Sequence, residues 1–216
     1  VAGYIGVACA ETGRYSAFSE ALARLEKPEG TQVAFAKGSD RELARNVLVR
    51  DMLSNPDYEW MLFVDDDQVF AEDLLARLLL HEKLDIVGGI YLRRDVPFSP
   101  IAYEAVTEQG QFVPLDMKQH AHDAVVEVKA AGTGAMLVRR RVFETMADPW
   151  FIRSDKGTED MLFCLKARLE HKFSVYVDLG VRVGHMTIAT VWPSTGEDGE
   201  WAAGFQISDF DFMAKM

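Results

Sequence analysis

Three carboxylates stand side by side at Asp65, Asp66 and Asp67, directly after residues 60–64, Trp-Met-Leu-Phe-Val. That unbroken apolar run is what a strand buried on both faces requires. Adjacent carboxylates repel one another and lose solvation when half-buried, so a cation is needed to compensate them. A divalent metal does this most simply, because Mg²⁺ and Mn²⁺ accept carboxylate oxygens and bridge to substrate phosphates. In extended chain, residues i and i+2 point the same way, so Asp65 and Asp67 can share one ion while Asp66 faces elsewhere. The alternative is a solvated acidic turn, and the position after a central strand favours a site over it. Two further groups join the set. Glu159 and Asp160 follow Thr158 in the first turn of a predicted helix, where the macrodipole alone also stabilises acids. Gly184 and His185 follow a predicted strand in a chain with 5 His; beside an acidic cluster, His185 is either a structural histidine or a metal ligand.

The elements that must position these residues are legible from periodicity. Residues 4–10 read as a strand, and Phe18, Ala21, Leu22 and Leu25 recur at helical spacing behind Ser16 as N-cap. Residues 32–36 form a second strand; Ser39 and Glu42 then stand at capping-box spacing ahead of Leu43, Val47, Leu48 and Leu53, and Pro56 ends the helix. After the strand at 60–64, a third helix from Glu72 carries Leu74, Leu75, Leu78 and Leu79, and a fourth strand covers 86–91. This alternation implies parallel βαβ units, a Rossmann-like half whose ligands bind beyond the carboxyl ends of the strands. After Arg94 the pattern changes. Pro97, Pro100 and short runs at 101–106, 112–115, 124–130 and 135–138 predict a mixed or antiparallel extension. A helix from Glu159 to about residue 170 and two short strands at 174–177 and 181–183 follow, and residues 188–216 read as irregular. The fold class is therefore α/β: a single domain with a mixed sheet flanked by helices and an irregular C-terminal tail.

Composition bounds the function. The chain has 216 residues, of which 49% are apolar and 26% charged, which excludes disordered and fibrous classes and suits one domain. No run approaches the ~20 apolar residues of a membrane helix. Residues 1–10 lack a basic n-region, so no signal peptide is read and a cytoplasmic location is expected. Cys9 and Cys164 carry no metal-type spacing and read as reduced core thiols. With 23 Lys+Arg against 34 Asp+Glu the net charge is −11, which repels nucleic acid and anionic membranes. An anionic ligand then needs a metal or a focused site. Arg93 and Arg94 follow the fourth strand and could contact an acceptor or a diphosphate, whereas Arg139, Arg140 and Arg141 read as solvated charge at a strand end.

Taken in order, the residues resemble the nucleotide-sugar glycosyltransferases of the GT-A fold, particularly family 2 and its phage-type relatives. The matching segments are Ala44-Arg45-Asn46, Leu62-Phe63-Val64-Asp65-Asp66-Asp67 as the D-x-D motif, Gly132-Thr133-Gly134-Ala135, Glu159-Asp160 and Gly184-His185. The resemblance implies a nucleotide-binding half at 1–94, an acceptor and catalytic half at 95–187, and a lid or tail at 188–216. Ala10 and Thr12 would border the nucleotide base, and Arg45 would reach the base or the diphosphate. Asp65 and Asp66 would line the donor, with Gly132 and Gly134 admitting the donor sugar close to the backbone. Asp67, with Asp65 and His185, would bind the metal, and a nitrogen ligand favours Mn²⁺ over Mg²⁺. Asp160 would be the general base, with Glu159 the competing choice, implying inversion at the anomeric carbon. The implied activity is a hexosyltransferase of class EC 2.4 using a nucleoside-diphosphate sugar, most simply a UDP-sugar, with no membrane partner. The acceptor stays open among a glycan, a protein and a modified nucleobase. Glu11-Thr12-Gly13 after the first strand departs from the commoner Pro-Thr-Tyr type of turn, which leaves the base open.

Two rivals compete. Asp65, Asp67 and Val69 also satisfy the Asp-x-Asp motif of haloacid-dehalogenase-like phosphatases, although that family places its nucleophilic Asp after the first core strand. A non-catalytic sugar-nucleotide binding protein is the other, against which the joint presence of Asp67, Asp160 and His185 argues.

Overall fold

The apolar run that precedes the three aspartates is an interior strand of the main sheet. The computed structural model describes residues 1–9, 16–38, 40–95 and 97–187, and the backbone of residues 190–195, 201–207 and 210–215. The first half runs β1 (Tyr4–Cys9), α1 (Ser16–Arg24), β2 (Gln32–Lys37), α2 (Arg41–Ser54), β3 (Trp60–Asp65), β4 (Gln68–Val69), α3 (Leu74–Leu79) and β5 (Ile86–Ile90). The second continues with β6 (Ala102–Val106), β7 (Phe112–Pro114), β8 (Val125–Glu127), β9 (Ala130–Ala131), β10 (Ala135–Arg139), α4 (Arg140–Thr145), α5 (Glu159–His171), β11 (Val175–Arg182) and β12 (Gly184–His185). Three more strands close the chain: β13 (Thr190–Thr195), β14 (Trp201–Ile207) and β15 (Phe210–Lys215).

Seven strands form one mixed sheet in the order β2-β1-β3-β10-β5-β11-β8. β1 pairs in parallel with β2 and β3, as the βαβ pattern predicts. The sequence does not reveal that β10 inserts antiparallel between β3 and β5. Alternation along β3 then divides the core, since successive side chains leave opposite faces of a strand. Met61 and Phe63 join the layer made by Leu48 and Met52 of α2, Phe143 of α4 and Phe163 of α5. Trp60, Leu62 and Val64 join Phe18 of α1 and Leu74, Leu75 and Leu78 of α3. With both faces covered, β3 has no solvent side, which explains its unbroken apolar sequence.

Four readings change. The N-cap of α2 is Asp40, while Ser39 lies outside the described residues. Leu43 and Val47 are exposed, and the face of α2 that turns inward carries Arg45 and Asn46 beside Ala44, Leu48, Val49 and Met52. The arginine triplet is not simply solvated charge at a strand end. Arg140 opens α4 and donates to the carbonyls of Leu53, Asn55 and Tyr58, Arg139 donates to those of Leu79 and His81, and Arg141 pairs with Asp85. Arg139 and Arg140 thus satisfy carbonyls at and just beyond the ends of α2 and α3. The two strands expected at 174–177 and 181–183 are one strand, β11, with an irregularity between Asp178 and Arg182.

The tail read as irregular contains paired backbone, with β13, β14 and β15 forming an antiparallel meander. Pro193 sits on its edge strand, the position a residue without an N–H tolerates. No helix among the described residues is long and apolar enough to cross a membrane. Cys9 and Cys164 are buried and form no disulfide among the described residues.

Candidate active site

Two acidic motifs meet at the carboxyl end of β3, and a single buried arginine organises them. Arg45 projects from the inward face of α2 with 1% exposure. Its Nη2 donates to Asp65 Oδ1 at 2.9 Å, and its Nη1 donates to Glu159 Oε1 at the start of α5. Both acids hold the guanidinium in its charged form against the cost of burial. Beneath it, Phe151 lies with its ring centroid 6.0 Å from the guanidinium carbon and stacks on Phe163 of α5 at 4.5 Å. The neighbouring Asn46 accepts from the N–H groups of Trp150 and Phe151 and donates to the Phe151 carbonyl at 2.8 Å. Arg45 and Asn46 thus pin α2 to the segment entering α5. Both terminal nitrogens of Arg45, the residue expected to reach the base or the diphosphate, are engaged by Asp65 and Glu159.

Asp65 and Asp67, predicted to share one ion, are divided. Asp65 belongs to the Arg45 cluster, and among the described residues no group of three His, Cys, Asp or Glu side chains converges as a metal site. Asp66 is buried. Asp67 turns to the other side, where its Oδ2 lies 3.4 Å from His185 Nε2 and 3.2 Å from Arg94 Nη1. Burial alone would raise the Asp67 carboxyl, but the hydrogen bond and charge of His185, with Arg94 and Arg41, hold it below the usual carboxylate range.

A two-residue ladder brings His185 there. Gly184 pairs with Val69 and His185 with Gln68, so β12 closes onto the chain just past the aspartates, and Met186 N donates to Asp67 O at 2.9 Å. The His185 ring is fixed from two sides. Its Nδ1 lies 2.8 Å from the Leu92 carbonyl, leaving Nε2 toward Asp67, and Tyr91 meets its face edge-on at 5.5 Å.

Asp67 and His185 fit a divalent cation on this geometry. Neighbouring ligands about 2.1 Å from a Mg²⁺-sized ion are about 3 Å apart, close to the observed separation. The Nδ1 contact to a carbonyl is the outer partner that orients a ligating histidine. Asp67 and His185 would be the residues to hold such an ion, which would supply positive charge for phosphate oxygens.

The second acidic pair is divided in the same way. Glu159 is buried on Arg45, while Asp160 keeps partial exposure and accepts from the Thr158 hydroxyl and from Met161 N at 2.9 Å. Burial pushes the Asp160 carboxyl above the ordinary carboxylate range, aided by Glu159 and opposed by Arg45 and the two hydrogen bonds. Asp160 is the more accessible of the two carboxyls.

Gly132 and Gly134 need their missing side chains for a reason internal to the fold. A Cβ at Gly132 would collide with the Tyr91 hydroxyl, and one at Gly134 would lie 2.9 Å from both Tyr91 Oη and Gln68 Nε2. Gly134 N donates to Tyr91 Oη at 2.9 Å, and its carbonyl accepts from Asp65 N. Tyr91 therefore links the glycine turn to His185, a role the sequence reading missed. Its place just after β5, at the ligand-binding end of the sheet, was the available signal. Ala10 and Thr12 lie outside the described residues.

No protein-family model matches the sequence, and no curated protein matches it. Solved structures do match. A197 from STIV aligns over 92% of this chain and 92% of its own, with a TM-score of 0.64 and 16% identity. GalNAc-T7, solved with UDP, GalNAc and Mn²⁺, aligns over 85% of this chain with a TM-score of 0.56 and 12% identity. This chain spans 43% of the GalNAc-T7 length. The mixed seven-stranded sheet flanked by helices is the GT-A fold, as the sequence predicts.

Proposed function

We propose that the chain is a metal-dependent glycosyltransferase that moves a sugar from a nucleoside-diphosphate donor, a UDP-sugar, to an acceptor hydroxyl with inversion, a hexosyl transfer of class EC 2.4. The observation that carries this reading is the division of both acidic motifs. Asp65 and Glu159 are consumed by Arg45, while Asp67 with His185 and, separately, Asp160 are left at the carboxyl end of the sheet. The GT-A fold and the UDP and Mn²⁺ held by GalNAc-T7 support the donor class and the ion.

Asp67 and His185 would hold Mn²⁺ or Mg²⁺, which supplies charge neutralisation for the departing diphosphate. Arg94, 41% exposed and already beside Asp67, adds a second positive group for the same oxygens. Asp160 takes the proton of the acceptor hydroxyl as that oxygen bonds to the anomeric carbon. The carbon's bond to the diphosphate oxygen breaks on the opposite face, and the electron pair leaves with the nucleotide. Arg45 contributes by holding Asp65 and the start of α5 in fixed register.

The test is release of UDP from a panel of UDP-sugars with Mn²⁺, Mg²⁺ or EDTA, with Asp160→Asn alongside. Metal-dependent release from one donor, lost in the variant, is the expected result. Release that is indifferent to EDTA and to Asp160→Asn would refute the assignment.

A further inference from the structure

A second feature at the same end of the sheet bears on the acceptor. Beyond β8, the outermost strand, the chain of residues 116–124 folds against the end of β11, tied by the hydrogen bond from Leu179 N to Ala124 O at 2.9 Å. Between them lies a cavity of about 450 Å³ lined by Met117, Lys118, Ala121, His122, Leu179 and Arg182. Three of its six lining residues are cationic or can become so, and none is acidic. The chain as a whole carries a charge of −11. Among the described residues, none of the three basic side chains is in an ion pair. Of the nearby acids, Asp116 accepts from Lys118 N at 3.1 Å and the Gln119 amide at 2.9 Å and also feels the Lys118 charge, and Asp123 follows His122; neither lines the cavity.

The cavity also lies on the productive side. Arg182 is in register with Ile90, the last residue of β5, and stands three residues before His185. Val181 and Val183 pack with α1 and α3, so Arg182 between them leaves the opposite face. Leu179 and Ile90 belong to the core layer on that opposite face, which also contains Phe163, Cys164 and Ala167 of α5, and Asp160 lies in the first turn of the same helix. The cationic cavity and the proposed base therefore share one face and one end of the sheet.

We propose that this cavity is the acceptor subsite and that the acceptor carries an anionic group, phosphate or carboxylate, held by Lys118, His122 and Arg182. This rests on the glycosyltransferase reading. A planar guanidinium forks onto either anion with two parallel hydrogen bonds, and Lys118 adds a flexible point charge. Buried Leu179 and half-buried Met117 supply the apolar part of the lining beneath the exposed basic side chains. In a molecule with this net charge, an anionic acceptor is repelled from most of the surface, so a local cationic cavity gives selectivity as well as affinity.

The experiment titrates inorganic phosphate and, separately, acetate into the isotopically labelled full chain while backbone amide signals are followed. UDP with Mn²⁺ is a third arm. At least one of the two small anions is expected to shift the amides of residues 117–122 and 179–182 saturably, and which one does so identifies the anionic group. Arg182→Ala is expected to weaken that response at least tenfold, with Lys118→Ala as the second variant should the first fail to fold. Absence of a saturable response in those segments, or a response unchanged in both variants, overturns the inference. The UDP arm separates the failures: UDP binding without the anion response overturns only the subsite, whereas loss of both overturns the donor reading too. In the turnover assay, glycerol 3-phosphate or glycerate is expected to stimulate UDP release at a concentration at least tenfold below that needed for glycerol. Equal potency of all three contradicts the subsite.

Discussion

Asp65 and Asp67 are two residues apart, as near-identical in sequence terms as two side chains can be, yet they end in opposite environments. Asp65 faces a fully buried guanidinium that also holds Glu159. Asp67 faces His185 and the exposed Arg94; the two aspartates are about equally exposed, 16% and 14%, and differ in their partners. Glu159 and Asp160 repeat the division one element away. The difference shows how a cluster of like charges is stabilised: one acid of each motif neutralises the buried Arg45, and its neighbour is left to other partners, Asp67 to His185 and Arg94 and Asp160 to the Thr158 hydroxyl and Met161 N. A buried ion pair contributes little net stability when compared with apolar packing, but removing one partner strands the other. The inner cluster thus fixes geometry, and the rim residues carry the proposed reaction.

The largest expected effect falls on the rim. Asp160→Asn should lower kcat by about 10²–10⁴-fold with donor binding retained, in the range a lost general base produces. Because burial raises the Asp160 pKa, this group binds its proton more tightly in the folded state than in the unfolded chain. Its contribution to stability is therefore present at low pH and lost as pH rises through the folded pKa. Asp160→Asn should accordingly be neutral or stabilising near pH 7 in a urea melt. The same shift places the acid limb of kcat/KM above the ordinary carboxylate range, and that limb should vanish in the variant. A strongly destabilised Asp160→Asn would erase the distinction between rim and interior.

The inner cluster should behave in the reverse way. Arg45→Met leaves Asp65 and Glu159 unpaired and should cost about 3–5 kcal/mol in chemical unfolding. Arg45→Lys should recover only part of this, since an ammonium cannot span both acids with a planar fork. If Arg45→Met instead weakens donor binding at unchanged stability, the arginine is a ligand contact and the comparison fails. Smaller effects follow between the clusters. Gly132→Ala drives a methyl into the Tyr91 hydroxyl and should cost about 1–3 kcal/mol, as overpacking does. Tyr91→Phe removes only the acceptor for Gly134 N and should cost about 1 kcal/mol by the same melt.

Sequence periodicity reveals the strands that end at the site and the helices between them, because a βαβ half needs only local patterning to be recognised. It does not reveal β10 between β3 and β5, nor the two-residue ladder of β12 on β4, since such pairings depend on contacts far apart in sequence. The same limit explains α2. Leu43 and Val47 satisfy a helical apolar pattern yet face outward, because Arg45 and Asn46 are needed inside by groups more than 100 residues away, at Glu159 and Phe151. The types of the site residues were legible, as were their order and their place at strand ends. Their partition into braces and reagents was not, because it depends on which acid the buried cation reaches.

The most direct test of that partition is calorimetric titration of UDP into wild type and Asp67→Asn, each with Mn²⁺ and with EDTA. Wild type should bind UDP at least tenfold more tightly with Mn²⁺, and Asp67→Asn should show one weak affinity in both conditions; because the lowered Asp67 pKa contributes stability near neutral pH, its unfolding midpoint should fall modestly. Equal UDP affinity in Mn²⁺ and EDTA for wild type, or undiminished Mn²⁺ dependence in Asp67→Asn, would contradict the assignment of Asp67 and His185 as the ion's ligands.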